Sequence, residues 1–221
     1  LTAEGRRTGG KSEIKVLSSN IPIGAVMGSS AALAVAAAAA ETVLRKKKWD
    51  LDNINSIAYE SEKKYHGNPS GGDNTIVTYG GFLWYRKETE SFKIFRRIAP
   101  KTNRHNLYLV NSGIPKETTG EMVTRVANLY SKNPKKINRI LEKIEIITRK
   151  FLNLLIDGTG DWGEVINENQ KYLELLGVVS ETGRNLIRDI KKIGGTAKVS
   201  GAGGVTNGSG IILIYHPDEK K

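Results

Sequence analysis

Apolar residues recur with two different spacings along this chain, and the balance between the two changes near residue 100. In the first part, alternating or β-branched runs predict short strands, and two longer segments predict helices. The predicted strands cover residues 13–18, 75–79, 82–87 and 92–98, and the predicted helices cover 31–46 and 50–65; a further strand, 106–111, is predicted just after residue 100. Ser29 or Ser30 is expected to cap the first helix, which is rich in alanine, and Asp50 or Asp52 to cap the second.

The second part of the chain is mainly helical. Apolar residues three and four positions apart predict helices over residues 118–131, 135–156, 161–176 and 181–193. Strands are predicted at 197–200 and 211–215, on either side of a glycine-rich loop. The polar segment 99–103 contains Pro100 and is typical of a linker. We therefore expect two domains, residues 1–99 and 100–221.

Composition narrows the possible functions. The 221 residues include no cysteine, which excludes disulfides, thiolate metal sites and thiol nucleophiles, and no two of the three histidines have zinc spacing. No secretory signal and no apolar run of membrane-spanning length is visible, so we expect a cytoplasmic protein with no membrane partner. The net charge of +11 suggests an anionic partner such as nucleic acid, acidic lipid or nucleotide phosphate. The basic residues are scattered and aromatic residues are few, which argues against a dedicated nucleic-acid surface.

The loop over residues 66–74 is the most informative segment. Three glycines and a proline within nine residues predict a tight, irregular turn, and the β-branched run after it predicts a strand. Asp73 would then be a carboxylate held where a rigid loop enters a sheet, able to orient or deprotonate a hydroxyl. Taken alone, the segment is better explained by an aspartate that only caps its own turn.

A second loop, residues 24–30, precedes the alanine-rich helix. Its glycines allow backbone amides to converge on phosphate oxygens, and the helix N-terminus after it favours anions. The Ser30 hydroxyl could also reach a phosphate-bound Mg²⁺, to which Glu62 on the next helix could contribute. The alternatives are a serine-capped glycine turn for the loop and an exposed helix charge for Glu62.

Two further glycine motifs have weaker interpretations. Residues 5–12 have the spacing of a nucleotide-binding P-loop, but a strand pattern follows where that motif needs a helix, so we interpret them as a chance match in a basic turn. Residues 200–204 form a glycine-rich loop between predicted strands, for which a flexible hairpin connection is the simpler interpretation. They miss the dinucleotide fingerprint because Thr206 occupies the last glycine position.

Three motifs, taken in order, resemble those of the GHMP kinases. Residues 22–32 (PIGAVMGSSAA) resemble the phosphate-binding motif of that family, with Val26 and Met27 in place of the usual glycine and leucine. Residues 66–74 (HGNPSGGDN) resemble the loop that carries the catalytic aspartate in the mevalonate kinase branch, and residues 198–204 (KVSGAGG) resemble the C-terminal glycine motif. Residues 111–118, 167–170 and 176–178 are similar to lesser landmarks of these enzymes.

The resemblance implies an ATP-dependent kinase that phosphorylates the C5 hydroxyl of mevalonate and uses Mg²⁺. It implies a two-lobed α+β fold, with a ribosomal-S5-like N-terminal lobe and a ferredoxin-like C-terminal lobe, and it is compatible with a homodimer. Asp73 is the implied catalytic residue, and Ser30 and Glu62 the implied metal ligands. The implied ATP-binding residues are Gly24, Ala25, Met27, Gly28, Ser29 and Ser30. The implied substrate-side residues are His66, Gly67, Ser70, Thr118, Gly201 and Ala202.

Three departures from the family pattern leave alternatives open. The first family motif, with its active-site lysine, and the final helix and strand are absent from this sequence, so we expect a fold truncated at both ends. The third motif also continues into a more polar loop, residues 205–210, than the usual glycine run. The alternatives are another GHMP enzyme, namely phosphomevalonate kinase or mevalonate diphosphate decarboxylase, or a non-catalytic nucleotide-binding fragment.

Overall fold

The computed structural model describes residues 2–8, 11–19, 28–45, 48–66, 69–101 and 106–218, with the backbone alone at 2–8, 11, 12 and 66. The chain forms two compact units, Leu1–Ile98 and Ala99–Lys221. Both combine helices with antiparallel strands. Among the described residues, no helix is both long enough and apolar enough to cross a membrane.

The described residues of the N-terminal unit form two β-hairpins and three helices. Its elements are β1 (Thr2–Thr8), β2 (Lys11–Ser18), α1 (Ser29–Leu44), α2 (Leu51–His66), α3 (Gly72–Tyr79), β3 (Phe82–Lys87) and β4 (Lys93–Ile98). Strand β1 pairs with β2, and β3 pairs with β4, both antiparallel. The described part of the 5–12 segment lies in the first hairpin with no helix after it, which agrees with rejecting a P-loop there.

Small side chains bring α1 and α2 close together. Ala38 on α1 and Ala58 on α2 are almost fully buried with Ile54, and further alanines of α1 pack against them. Of the two predicted caps of α2, Asp50 has this role, because its Oδ1 accepts hydrogen bonds from the backbone amides of residues 52 and 53 at 3.0 and 3.2 Å.

Residues 75–79, which we predicted as a strand, form most of helix α3 instead. Gly71 begins the helix in the left-handed region (φ 84°), a conformation that suits glycine. The Thr75 hydroxyl then donates to the Gly71 carbonyl at 2.5 Å, and the Thr78 hydroxyl donates to the Asn74 carbonyl at 2.7 Å. The strand prediction was wrong because these local bonds and the packing of α3 outweigh a weak β propensity.

In the part of the C-terminal unit that the structure describes, four helices pack with a three-stranded sheet. Its elements are β5 (Leu107–Asn111), α4 (Thr119–Lys132), α5 (Pro134–Asp157), α6 (Trp162–Leu176), α7 (Glu181–Lys192), β6 (Thr196–Val199) and β7 (Ile211–Tyr215). The strand order is β5-β7-β6, with both pairs antiparallel. These elements confirm the helices and strands predicted for this part of the chain to within one or two residues.

The core of this unit lies between the sheet and the helices. It is formed by Met122, Ile137, Ile140, Leu176, Val178, Val179, Ile187, Ile190, Ala197, Val199 and Ile212. Helix α6 covers the outer edge of β6, where the buried Gln170 Oε1 accepts a hydrogen bond from the Val199 amide at 3.0 Å. This bond satisfies an edge amide that would otherwise be buried without a partner.

Candidate active site

Helix α1 begins at a glycine, not at a serine cap. The N-cap is Gly28, in the left-handed region (φ 68°), and no side chain caps the helix. Ser29 and Ser30, which we expected as caps, are the first two helical residues, so that prediction was wrong. The backbone conformation at Gly28 favours glycine, and no atom of the described residues would lie within 4 Å of an added Cβ. An N-terminus without a side-chain cap favours an external anion.

The structure brings the two expected metal ligands together at this helix end. The Ser30 hydroxyl donates a hydrogen bond of 2.5 Å to Glu62 Oε1, although the residues are 32 positions apart. Glu62 lies on α2 and is only 7% exposed, whereas Ser30 is exposed. Burying a carboxylate costs free energy unless polar groups bond to it. For Glu62, the exposed Ser30 hydroxyl at the start of α1 is one such group.

Asp73 is exposed at the start of α3 and does not lie on a loop entering a sheet as we predicted. Gly71 is the N-cap, so Asp73 does not cap the helix. The residues after it hold the helix in place: Asn74 is buried and donates to Asn55 Oδ1 at 2.5 Å, and Thr75 is buried beside it. Helix α3 packs against both α1 and α2, the helices that carry Ser30 and Glu62. The same unit therefore contains all three side chains.

In the C-terminal unit, the glycine-rich loop over residues 200–210 connects β6 to β7 and is closely packed. Gly201 and Gly203 both have positive φ values, 75° and 74°. A Cβ at Gly203 would lie 2.1 Å from the Val178 carbonyl oxygen, so no other residue fits there. Ala202 is half-buried and packs against the core of this unit.

Hydrogen bonds that involve Glu117 and three serines hold this loop against the rest of its unit. Glu117 Oε2 accepts hydrogen bonds from the Val205 and Thr206 amides at 3.1 and 3.2 Å, and its Oε1 accepts one from the Thr206 hydroxyl at 2.5 Å. Burial would raise the pKa of Glu117, but these hydrogen bonds dominate and lower it to about 2. On the other side, the Ser209 hydroxyl, fully buried, accepts from the Ser180 amide at 2.8 Å, and the Ser209 amide donates to Ser112.

Thr118, an expected substrate-side residue, caps helix α4. Its hydroxyl accepts from the Glu121 amide at 3.3 Å, and its backbone amide donates to Glu121 Oε2 at 2.7 Å, which completes a capping box. An open groove of about 710 Å³ runs beside this cap and is lined in part by Gly120, Thr124 and Arg125. Thr118 therefore has a structural role that local sequence signals indicate by themselves.

Residues 2–81 match the family described as GHMP kinases N terminal domain. The mevalonate kinase of Homo sapiens is 32% identical over 227 residues, which cover 90% of this chain and 54% of that protein. The mevalonate kinase of Archaeoglobus fulgidus is 32% identical over 208 residues, which cover 93% of this chain and 66% of that protein. The chain belongs to the GHMP kinase superfamily.

Solved structures agree with this assignment. The crystal structure of L. major mevalonate kinase in complex with R-mevalonate matches this GHMP kinase chain with a TM-score of 0.74 at 27% identity, covering 87% of this chain and 58% of that one. The resemblance drawn from the three motifs and the α+β GHMP kinase fold are thereby confirmed. The chain spans about half to two thirds of the length of these relatives.

Several expected site residues fall outside what the structure describes. Gly24, Ala25, Met27 and Gly67 lie outside the described residues, and His66 is described only as the last backbone position of α2. Ser70 is described and exposed, and its Oγ accepts a hydrogen bond from the Gly72 amide at 3.1 Å.

The sequence did not single out Glu117, nor Tyr85 and Lys87 on β3, which contact the turn before Asp73. Glu117 bonds residues 88 and 89 positions away, and only the folded chain shows such pairs.

Proposed function

We propose that this protein is a mevalonate kinase, which transfers the γ-phosphoryl group of ATP to the C5 hydroxyl of mevalonate. The observation that carries the proposal is the 2.5 Å hydrogen bond between Ser30 at the start of α1 and the buried Glu62. It joins a helix end suited to phosphates with a carboxylate suited to a divalent cation. The family membership and the names of the relatives support the choice of mevalonate.

Ser30 and Glu62 fit Mg²⁺ by their chemistry. Mg²⁺ prefers hard oxygen ligands and is usually held by one or two carboxylates together with substrate phosphates and water. Among the described residues no group of three or more histidine, cysteine, aspartate or glutamate side chains could hold a metal by itself, which suits an ion shared with the nucleotide. When bound there, Mg²⁺ would neutralise charge on the β- and γ-phosphates.

Asp73 has the role of proton acceptor or positioning charge in this proposal. The C5 oxygen of mevalonate attacks the γ-phosphorus, the bond from that phosphorus to the β–γ bridging oxygen breaks, and ADP leaves. The hydroxyl proton goes to the carboxylate of Asp73, which is exposed and therefore accessible to a bound alcohol. Phosphoryl transfer needs little covalent help from the protein, so alignment of the two substrates contributes most of the rate.

The remaining assignments follow from the motifs. We assign the ATP phosphates to Gly24, Ala25, Met27, Gly28, Ser29 and Ser30. We assign the mevalonate side to His66, Gly67, Ser70, Thr118, Gly201 and Ala202.

A panel of acceptors tests this function. ADP release is measured with the full-length protein on mevalonate, its phosphates, homoserine and galactose, and CO₂ release is followed in parallel. We expect kcat/KM for mevalonate to exceed every other value by at least roughly 100-fold. A preference for phosphomevalonate, or CO₂ release from diphosphomevalonate, would assign one of the two related enzymes instead. Nucleotide binding without turnover on any acceptor would indicate a non-catalytic protein.

A further inference from the structure

The turn that precedes Asp73 is held by side chains of the second hairpin. The Tyr85 hydroxyl on β3 donates a hydrogen bond of 2.6 Å to the Ser70 carbonyl. Lys87, two residues later on the same strand, donates from Nζ to the Pro69 carbonyl at 3.0 Å. Two consecutive carbonyls of the turn are therefore held by one strand.

Lys87 is itself fixed by a charged partner. Its Nζ lies 2.8 Å from Glu90 Oε2, and Glu90 Oε1 accepts a 2.6 Å hydrogen bond from the hydroxyl of the buried Tyr59. The Lys87 ammonium, followed by the Tyr59 hydroxyl, lowers the pKa of Glu90 to about 2, and the bond to Glu90 raises the pKa of Lys87. Both groups remain charged across the ordinary pH range, so the contact to the turn persists there.

The same tyrosines leave no room at the residue where helix α3 begins. Gly71 has a φ of 84°, and a Cβ built on it would lie 2.8 Å from the Tyr85 hydroxyl oxygen and 3.0 Å from the Tyr59 ring. The position of Gly71 is therefore set by contact as well as by hydrogen bonding. Asp73 follows two residues later in the first turn of the helix, so its place depends on where the helix starts.

We propose that Tyr85 and Lys87 are positioning residues for the phosphoryl transfer, holding the turn at residues 69–71 so that Asp73 faces the acceptor hydroxyl. This inference rests on the proposed function of Asp73. Neither side chain needs to touch either substrate: both act through the backbone of the turn. Tyr85 and Lys87 contact the turn before α3. At the other end of this helix, the Tyr79 hydroxyl donates to Asp52 on α2.

Tyr85→Phe tests the inference, with Tyr79→Phe as its matched control. Each change removes one tyrosine hydroxyl that forms a hydrogen bond near one end of α3. Only the Tyr85 hydroxyl bonds to the turn before Asp73. For Tyr85→Phe we expect kcat to fall about 10-fold while the KM values for ATP and mevalonate stay within about 2-fold, because misplacing a reacting group slows the chemical step. Tyr79→Phe should keep kcat within about 2-fold. Lys87→Met should behave like Tyr85→Phe, and Lys87→Arg, which keeps a donor and the charge, should recover at least half of the loss.

A second comparison keeps the two proposals apart. Asp73→Asn is assayed beside these variants, with melting temperatures recorded for all. If Asp73→Asn is inactive and Tyr85→Phe has the kcat of the parent, or falls no further than Tyr79→Phe, the positioning inference is wrong and the proposed function stands. If Asp73→Asn turns over like the parent, the role given to Asp73 fails, and the inference fails with it. Loss of kcat in Tyr85→Phe and Asp73→Asn, but not in Tyr79→Phe, supports both.

Discussion

At the scale of single residues, the account depends on a few polar side chains whose partners are far away in the sequence. Ser30 donates a hydrogen bond to Glu62, 32 positions away in the sequence. Glu117 accepts one from the glycine-rich loop, 88 positions away. In both cases a carboxylate accepts hydrogen bonds from another element. Such bonds are worth most when one partner is withdrawn from water, so substitutions at these residues have distinct consequences.

Glu62→Gln should weaken Mg²⁺ binding. The amide oxygen still accepts the bond from Ser30, but the negative charge is lost, so we expect the Mg²⁺ concentration for half-maximal activity to rise at least roughly 10-fold. Glu60→Gln is the control, since Glu60 lies on the same helix but is exposed and paired with Lys63. Equal Mg²⁺ dependence in the parent, Glu62→Gln and Glu60→Gln would show that Glu62 is not a metal ligand.

The stability that Glu117 gives to the C-terminal unit should be lost in acid. Its pKa is lowered from 4.5 to about 2 in the folded protein, so its contribution is present above pH 4.5 and is lost as the pH falls toward 2. We expect Glu117→Gln to be less stable than the parent at pH 6, with the gap closing at pH 3 and below. Urea unfolding at the two pH values measures this, with Glu142→Gln on the exposed face of α5 as the control. A gap that does not depend on pH would show that the carboxylate is not the stabilising group.

At the scale of elements, the sequence predicts best where one face of a helix is buried. The four helices of the C-terminal unit were predicted because their apolar residues keep a three- and four-residue spacing. Helix α3 was missed because its eight residues are too few to show that spacing, and its threonines favour a strand in isolation. Its helical state depends on Gly71 and on the bonds to α2, which are tertiary features. The contacts of Tyr85 and Lys87 with the turn before Asp73 could not be predicted for the same reason.

Gln170→Ala tests how α6 covers the edge of the sheet. Gln170 is 1% exposed and provides the acceptor for the Val199 amide on β6. Its removal leaves a buried amide without a partner and a small cavity, so we expect a loss of about 2–3 kcal/mol in the free energy of unfolding. Lys171→Ala, on the exposed side of the same helix, should change it by less than about 0.5 kcal/mol. Equal stabilities for the two variants in urea unfolding would contradict this view of the edge.

At the scale of the whole molecule, the two units contain different parts of the proposed machinery. The N-terminal unit has the Ser30–Glu62 pair and Asp73, and the C-terminal unit has the glycine-rich loop and Thr118. Order and spacing of three motifs were enough to predict the family and the fold class from the sequence. The residues that hold those motifs in place were not, because their contacts join segments that lie far apart along the chain.

The measurement that tests the central claim most directly compares turnover and nucleotide binding in Asp73→Asn. The side chain keeps its size and loses the charge that accepts the proton, so we predict that kcat on mevalonate falls by roughly 10³-fold. The Kd for ATP should stay within about 2-fold, because the residues proposed to bind the phosphates do not include Asp73. Asp189→Asn, which changes an exposed aspartate paired with Lys192, should match the parent in both. Turnover by Asp73→Asn within about 10-fold of the parent would contradict the account.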